Sequence, residues 1–445
     1  MQTLPACAAA LAEGRTSSAA LVEAALDRIA DPEGEGARAF LRVHADSARQ
    51  MAAAMDALRR AGRAPGPYAG IPVSLKDLAD IAGEPTPGGS RALADAPPAA
   101  RHATTVARLL AAGLVPVGRT NMTEFAFSGL GINPHHGTPA APWQRATTRR
   151  IPGGSSSGAA VSVADGMAAA ALGTDTGGSC RVPAAFCGIV GFKPTARRVP
   201  LDGIFPLAPS LDSVGPLANS VGCCAIVDAI FAGTPPAPPV PADLASLRLL
   251  VPDNLVLDGM EPAVAEAFAA GLRRLKAAGA RLTHARLAPF NELPRVNAAG
   301  GFASAEAYAW HRCLLAEKGA LFDPRIRARI ERGSLQSAAD YIDLVRTRAA
   351  LCRRLDADTA PFDAVVMPSV VILPPPIAAL EADEAEYSRI NLLVLRNTAL
   401  ANFFDRCAIS LPLSRDPPIG LMLMGETFGD ARLFAIAAGV EMALS

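Results

Sequence analysis

The chain has 445 residues and a formal net charge of zero; half of it is hydrophobic and 19% is charged. That is ample material for a buried core and excludes bulk disorder. A balanced charge argues against a nucleic-acid surface, which needs a basic excess, and no apolar run approaches the ~18–20 residues of a membrane span.

The start, MQTLPACAAALAEGR, has no basic segment followed by an apolar one, so a cytoplasmic location is expected. Eight cysteines are spread thinly, with no CxxC pair and no histidine at metal-ligand spacing. They read as free thiols in a reducing compartment, with no metal and no cofactor expected. Of the 42 basic residues only Lys76, Lys193, Lys276 and Lys318 are lysines. Where arginine serves as the general surface cation, each remaining lysine raises the question of what arginine is unable to do there.

The first sixty residues read as helical. Thr16, Ser17 and Ser18 precede ALVEAALDRIA, a capped amphipathic helix, and a second helix covers 45–61. IPVSL (71–75) reads as a short buried strand. TTVARLLAAG (104–113) is a helix ended by Gly113, and LVPVG (114–118) follows as a parallel strand. PGGSSSGAAVSVADG (152–166) opens as a loop and runs into a small-residue helix. MAAAALG (167–173) is a buried strand, and TDTGGSCR (174–181) is a tight loop. The proline-rich GTPPAPPVPAD (233–243) is a surface connection. Beyond it come a strand at 247–252, a helix over 261–278, a strand over 280–287 and a mostly helical stretch at 300–360. Strands at 363–373, 408–412 and 419–425 precede a closing helix at 430–443. This alternation predicts an α/β fold, a large mixed β-sheet core with helices on both faces.

Two loops carry the chemistry. Gly153-Gly154-Ser155-Ser156-Ser157-Gly158 and Gly173-Thr174-Asp175-Thr176-Gly177-Gly178-Ser179 place Ser155 and Ser179 24 residues apart. Glycines ahead of a serine let the backbone turn sharply and expose its N–H donors. That suits an oxyanion hole followed by its nucleophile. No histidine sits in a triad context. Lys76 follows the apolar IPVSL, where burial favours the neutral amine and lowers its pKa; it is the base candidate that composition singles out. The P-loop and dinucleotide patterns are absent. GSSSG matches the nucleophile elbow only formally, with no strand before it and no late histidine.

These stretches resemble the amidase signature family. The matching residues are GIPVSLKD around Lys76, GRTNMTEFAFSGLGINPHHGTP (118–139), PGGSSSGAA (152–160), GTDTGGSCRVPAAFCGIVGFKPT (173–195) and PLAPSLDSVGPLA (206–218). DRCAISLP (405–412) and IGLMLMG (419–425) extend the resemblance to the C-terminus. It implies one amidase domain over 1–445. Within it, 1–62 is an N-terminal helical segment and 63–232 the catalytic core. Residues 233–400 are a variable, largely helical pocket region, and 401–445 return to the core sheet. It also implies a Ser–cisSer–Lys triad, with Ser179 as nucleophile, Ser155 as bridge after a cis bond from Gly154, and Lys76 as general base. The backbone N–H groups of Thr176, Gly177, Gly178 and Ser179 match the oxyanion hole. Ala126, Phe127 and Ser128 match a stretch beside the acyl pocket. Asp175 and Arg181 flank the nucleophile as a supporting pair, with Ser156 and Ser157 as network or helix-cap residues. Phe125, Phe127, Trp143, Phe302, Tyr308 and Trp310 hint at an apolar wall.

The resemblance implies a hydrolase that cleaves the C–N bond of a small carboxamide through an acyl-enzyme. Two alternatives share the triad: a carbamate, urea-like or biuret-type hydrolase, and the glutaminase subunit of a tRNA-dependent amidotransferase. The partner expected is a small amide, with no membrane and, outside the amidotransferase case, no nucleic acid. Homodimers are common in the family.

Overall fold

The structure is a computed structural model and describes residues 3–444. The described residues form one mixed sheet of eleven strands. These are β1 (Phe40–Val43), β2 (Pro72–Lys76), β3 (Val115–Thr120), β4 (Ala170–Thr174), β5 (Val190–Lys193), β6 (Val214–Ala218), β7 (Arg248–Pro252), β8 (Arg281–Ala285), β9 (Ala364–Pro368), β10 (Ala408–Arg415) and β11 (Pro418–Met424). Their order across the sheet is β1-β3-β2-β4-β6-β5-β10-β11-β9-β7-β8. Two parallel groups, β3-β2-β4 and β9-β7-β8, are joined by antiparallel strands.

Every residue of β2, β4, β6, β9 and β11 is buried, as strands covered on both faces must be. Alternation sorts the side chains. Leu249 and Val251 pack into one cluster with the helices Thr104–Ala111, Val221–Ala232 and Asp430–Leu444, while Leu250 between them faces a different cluster. The mixed sheet with helices on both faces is the architecture that the sequence predicts.

Ser17 caps the helix Ser18–Ala30 by accepting from the Ala20 N–H at 3.0 Å. Its Val22, Ala25, Leu26 and Ile29 form one helical stripe and bury against Val115 and Val117. Each large aliphatic side chain so buried stabilises the fold by about 1.5–3 kcal/mol. The helix Ala45–Arg60, β2, β3 and the helix Pro262–Ala277 lie where the sequence predicts them. No helix or strand occupies 233–243, and no helix among the described residues is long and apolar enough to cross a membrane.

Two readings are corrected and two strands are added. The first sixty residues are not all helical, because Phe40–Val43 form β1, an edge strand antiparallel to β3. The strand expected over 363–373 stops at Pro368, past which the chain has no regular element until Ile377. The strands β5 and β6 have no counterpart in the sequence reading, which assigns no element to VGFK or VGPLA; both carry glycine, and VGPLA proline, which are poor strand formers. Here the glycines let backbones meet. A Cβ on Gly215 would lie 2.0 Å from the Phe192 carbonyl oxygen, and one on Gly191 would lie 2.3 Å from that of Cys180.

That contact yields a prediction. Gly215→Ala forces β5 and β6 apart and lowers stability by about 3 kcal/mol. Urea unfolding checks it; an unchanged midpoint would show that the two strands separate freely.

Candidate active site

Strand ends bring the first two groups together. Adjacent parallel strands finish at the same edge, and β2 and β4 end on Lys76 and Thr174. The Lys76 Nζ donates to the Thr174 Oγ1 at 2.8 Å and to the Ser155 Oγ at 2.7 Å. All three residues are buried, Lys76 and Ser155 completely. Burial pulls the Lys76 pKa down to about 7, against the opposing pull of Asp175 and Asp212. No carboxylate is bonded to the amine among the described residues.

Ser155 sits in the loop that enters the helix Ser157–Ala164, and the Gly154–Ser155 peptide bond is cis. This loop is pressed against residues 123–131. The Gly154 N–H donates to the Gly129 carbonyl at 2.8 Å, and the Thr123 N–H donates to that of Ser155 at 3.1 Å. A Cβ on Gly154 would stand 2.5 Å from the Gly131 nitrogen, so only glycine fits there. The Ser156 N–H reaches the Ser179 carbonyl at 3.3 Å and ties the two serine loops together. Ser156 occupies the N-cap position, but its hydroxyl does not cap the helix; it donates to the Thr174 carbonyl instead.

Ser179 is 4% exposed and stands at the end of the glycine loop. Among the described residues, no protein acceptor takes the N–H of Thr176, Gly177, Gly178 or Ser179. Gly177 is the least buried residue of this loop. Four backbone donors beside one serine hydroxyl are therefore available to a ligand oxygen.

The loop is held from several sides. Arg181 grips Asp175 with Nε and Nη2 at 3.0 and 2.8 Å, and neither side chain is exposed. The same guanidinium donates to the Thr398 carbonyl, the Met422 Sδ and the Asn402 Oδ1. Asn402 returns a bond to the Asp175 Oδ1 at 2.9 Å. Burial pushes the Asp175 carboxyl up, but Arg181, Asn402 and Lys193 outweigh it and hold the pKa at about 2. The Thr398 Oγ1 donates to the Gly177 carbonyl at 2.7 Å, and the Thr176 Oγ1 donates to the Asp212 Oδ1 at 2.5 Å. Burial, reinforced by Asp175, raises the Cys180 thiol far above its usual range, which leaves it inert as a nucleophile.

The family model "Amidase" matches residues 20–434. The chain belongs to the amidase family. It is a hydrolase acting on C–N bonds. The enzyme is 39% identical over 406 residues to the 2-amino-5-chloromuconic acid deaminase of Comamonas testosteroni, covering 88% of this chain and 86% of that one. It is 35% identical to a subunit of the glutamyl-tRNA(Gln) amidotransferase of Chloroflexus aggregans, covering 98% and 94%. A solved amidase structure superposes over the full length of both chains with a TM-score of 0.90 at 31% identity.

In the enzyme, Lys76, Ser155, the glycine loop with Ser179, Asp175 and Arg181 lie together. Ala126, Phe127 and Ser128 adjoin them through Gly129. Ala126 and Phe127 pack with Ala307, Phe322, Ile326 and Ile330. Two members of the expected apolar wall do not join it: Trp143 donates to Asp416 and stacks under Arg150, and Phe302 packs with Tyr341 and Phe403 in a different cluster. Trp310 is 56% exposed and meets the wall only edge-on at Phe205. A cavity of about 390 Å³ lined by Arg248, Asp363 and Arg406 shares no residue with this centre. Sequence reasoning missed Thr174, Asp212, Thr398 and Asn402. The first two lie inside the stretches GTDTGG and SLDSVGP, so their signal was present but unread. Thr398 and Asn402 lie more than 200 residues from the loop that they hold and carry no local signal.

Removing one partner of a buried ion pair costs about 3–5 kcal/mol. Arg181→Met therefore lowers stability by about that much at pH 7, with Asp175 charged and unpaired. In the parent, the folded pKa near 2 lies below the unfolded value, so the pair's contribution is full above about pH 4 and is lost as pH falls through 2. Unfolding midpoints at pH 7 and pH 3.5 check the prediction: the gap between variant and parent narrows at the lower pH, and an equal gap would show that Asp175 does not carry the penalty.

Proposed function

We propose that the enzyme hydrolyses the C–N bond of a small carboxamide through an acyl-enzyme on Ser179. What carries this reading is a fully buried lysine with a pKa near 7, bonded to Ser155, beside a loop with four unpaired N–H donors. Neutral Lys76 takes the proton of Ser155, and Ser155 takes that of Ser179 as its Oγ attacks the carbonyl carbon. The carbonyl oxygen becomes the oxyanion and settles among the N–H groups of Thr176, Gly177, Gly178 and Ser179. The Lys76 proton returns through Ser155 to the leaving nitrogen, the C–N bond breaks and ammonia or an amine departs. Water then repeats the attack and frees the acid. Asp212 and Asn402 touch no reacting atom; they position the loop.

The relatives favour ammonia as the leaving group. One is named for deaminating an amino acid derivative, and others for their place in an amidotransferase. An amidotransferase component is the second reading, since such relatives match nearly the whole chain. Ammonia release by the purified chain alone separates the two. Turnover of simple amides supports a self-sufficient hydrolase, whereas turnover of glutamine alone supports the amidotransferase component. Preference for carbamates or biuret moves the reading to the carbamate and urea-like class.

Two predictions test the mechanism. Ser179→Ala lowers kcat by about 10⁴-fold or more with an unchanged fold; retained turnover in the ammonia assay would exclude Ser179 as nucleophile. With Lys76 required neutral and its pKa near 7, kcat/KM falls about tenfold per pH unit well below 7 and levels off above it. Lys76→Ala cuts kcat/KM at pH 7 and abolishes that acid limb. A pH profile with the same limb in the variant would assign it to another group.

A further inference from the structure

Beside Ser128 lies a set of buried hydrogen-bond donors that the protein leaves unpaired or poorly paired. Tyr387 and Asn391 stand one turn apart on the helix Glu384–Leu395, 1% and 0% exposed. The Asn391 Oδ1 is fully used, accepting from the Ser128 Oγ at 2.9 Å and the Gly129 N–H at 2.8 Å. Because the Gly129 nitrogen only donates, the amide orientation is fixed and Nδ2 faces away from both. That Nδ2 has no partner, and the hydroxyl of Tyr387 has only the Ser128 Oγ within reach, at poor hydrogen-bond geometry.

The third donor is a cation. Two arginines of the helix Pro324–Glu331 reach this wall. Arg325 lies over the Tyr387 ring but is neutralised by Asp323 at 3.1 Å. Arg329 lies over the Phe127 ring, 4.7 Å from its centroid. Its guanidinium makes no ion pair or hydrogen bond among the described residues, and its Nε is shut off from solvent without an acceptor. Burial lowers the pKa of this guanidinium, with Arg332 pulling the same way and Tyr387 against it.

The cluster adjoins the reacting groups. Ser128 precedes Gly129, whose carbonyl holds the Gly154 N–H. One turn beyond Asn391, Leu395 lies against both Gly129 and Gly177. We infer that Arg329, Tyr387 and Asn391 form a carboxylate-binding subsite, and that the preferred substrate is an amide whose acyl part ends in a second carboxylate, a monoamide of a small dicarboxylic acid. This rests on the proposed acyl chemistry at Ser179 for its orientation. One unpaired guanidinium balances one negative charge, and neutral donors complete the shell of a planar acceptor. A phosphate dianion would leave a net charge buried.

Binding tests this apart from catalysis. The full-length Ser179→Ala enzyme is titrated calorimetrically with monoamides of C4–C6 dicarboxylic acids, each paired with the neutral primary amide of equal chain length. At least one acid is expected to bind about 30-fold more tightly than its neutral partner. Adding Arg329→Met abolishes that preference. Tyr387→Phe, which removes one oxygen, reduces it several-fold and serves if the arginine variant fails to fold. Arg327→Met, on the same helix but exposed and bonded to Glu331, leaves it intact. Equal or no binding of both members of every pair, or a preference that survives Arg329→Met, overturns the inference. Failure of the catalytic reading shows elsewhere, as absent ammonia release by the unsubstituted enzyme.

Discussion

A fully buried amine with two hydroxyl acceptors and no carboxylate bonded to it is the constraint on which the site depends. In water Lys76 is a cation; at the junction of β2 and β4 its charge has lost its hydration and gained no counter-ion at hydrogen-bond distance. Arginine at this position stays charged and brings an uncompensated cation into the core. The chain uses arginine almost everywhere else, so this lysine is a chemical choice. The parallel pairing of two short strands makes the arrangement geometrically simple, because both end at one edge and deliver Lys76 and Thr174 side by side.

The glycine loop poses the opposite problem. Glycines grant its N–H groups freedom to face a ligand, and the same freedom would let them wander. The protein resolves this with polar ties. Arg181 has five N–H donors and all five are used, two on Asp175 and three on the chain around 398–422. Asp212 holds Thr176 from the other side while accepting the N–H groups of Leu207 and Ala208. A buried ion pair adds little net stability compared with apolar packing. Its contribution here is positional: it fixes the loop of Thr176, Gly177, Gly178 and Ser179, as the proposed oxyanion hole requires of donors that must point the right way before charge develops.

How much of this was legible in the sequence differs by distance along the chain. Local pattern sufficed for the Ser17-capped helix, for β2 and for the two serine loops, whose glycines and hydroxyls are unusual in a short window. It failed where tertiary contact overrules propensity. VGFK and VGPLA are strands because their glycines let two backbones close to van der Waals range, which a single strand's sequence does not announce. It also failed where a residue matters through what it touches. Asn402 in ANFFDR is an ordinary asparagine until the fold sets it between Arg181 and Asp175. Arg329 is one of many arginines until its neighbours leave it without a carboxylate.

The strand order has a consequence for how the molecule is made. β7, β8 and β9 reach the rest of the sheet only through β11, and β11 only through β10. The two halves of the sheet therefore stay unjoined on the ribosome until residues 408–424 have emerged. Thr398 and Asn402 arrive at nearly the same moment. Ser179 is made more than 200 residues before Thr398 and Asn402, which brace its loop. A product cut short before residue 398 holds Lys76, Ser155 and Ser179 yet lacks the ties that fix the loop of Ser179, so topology couples the order of that loop to the synthesis of residues 398–424.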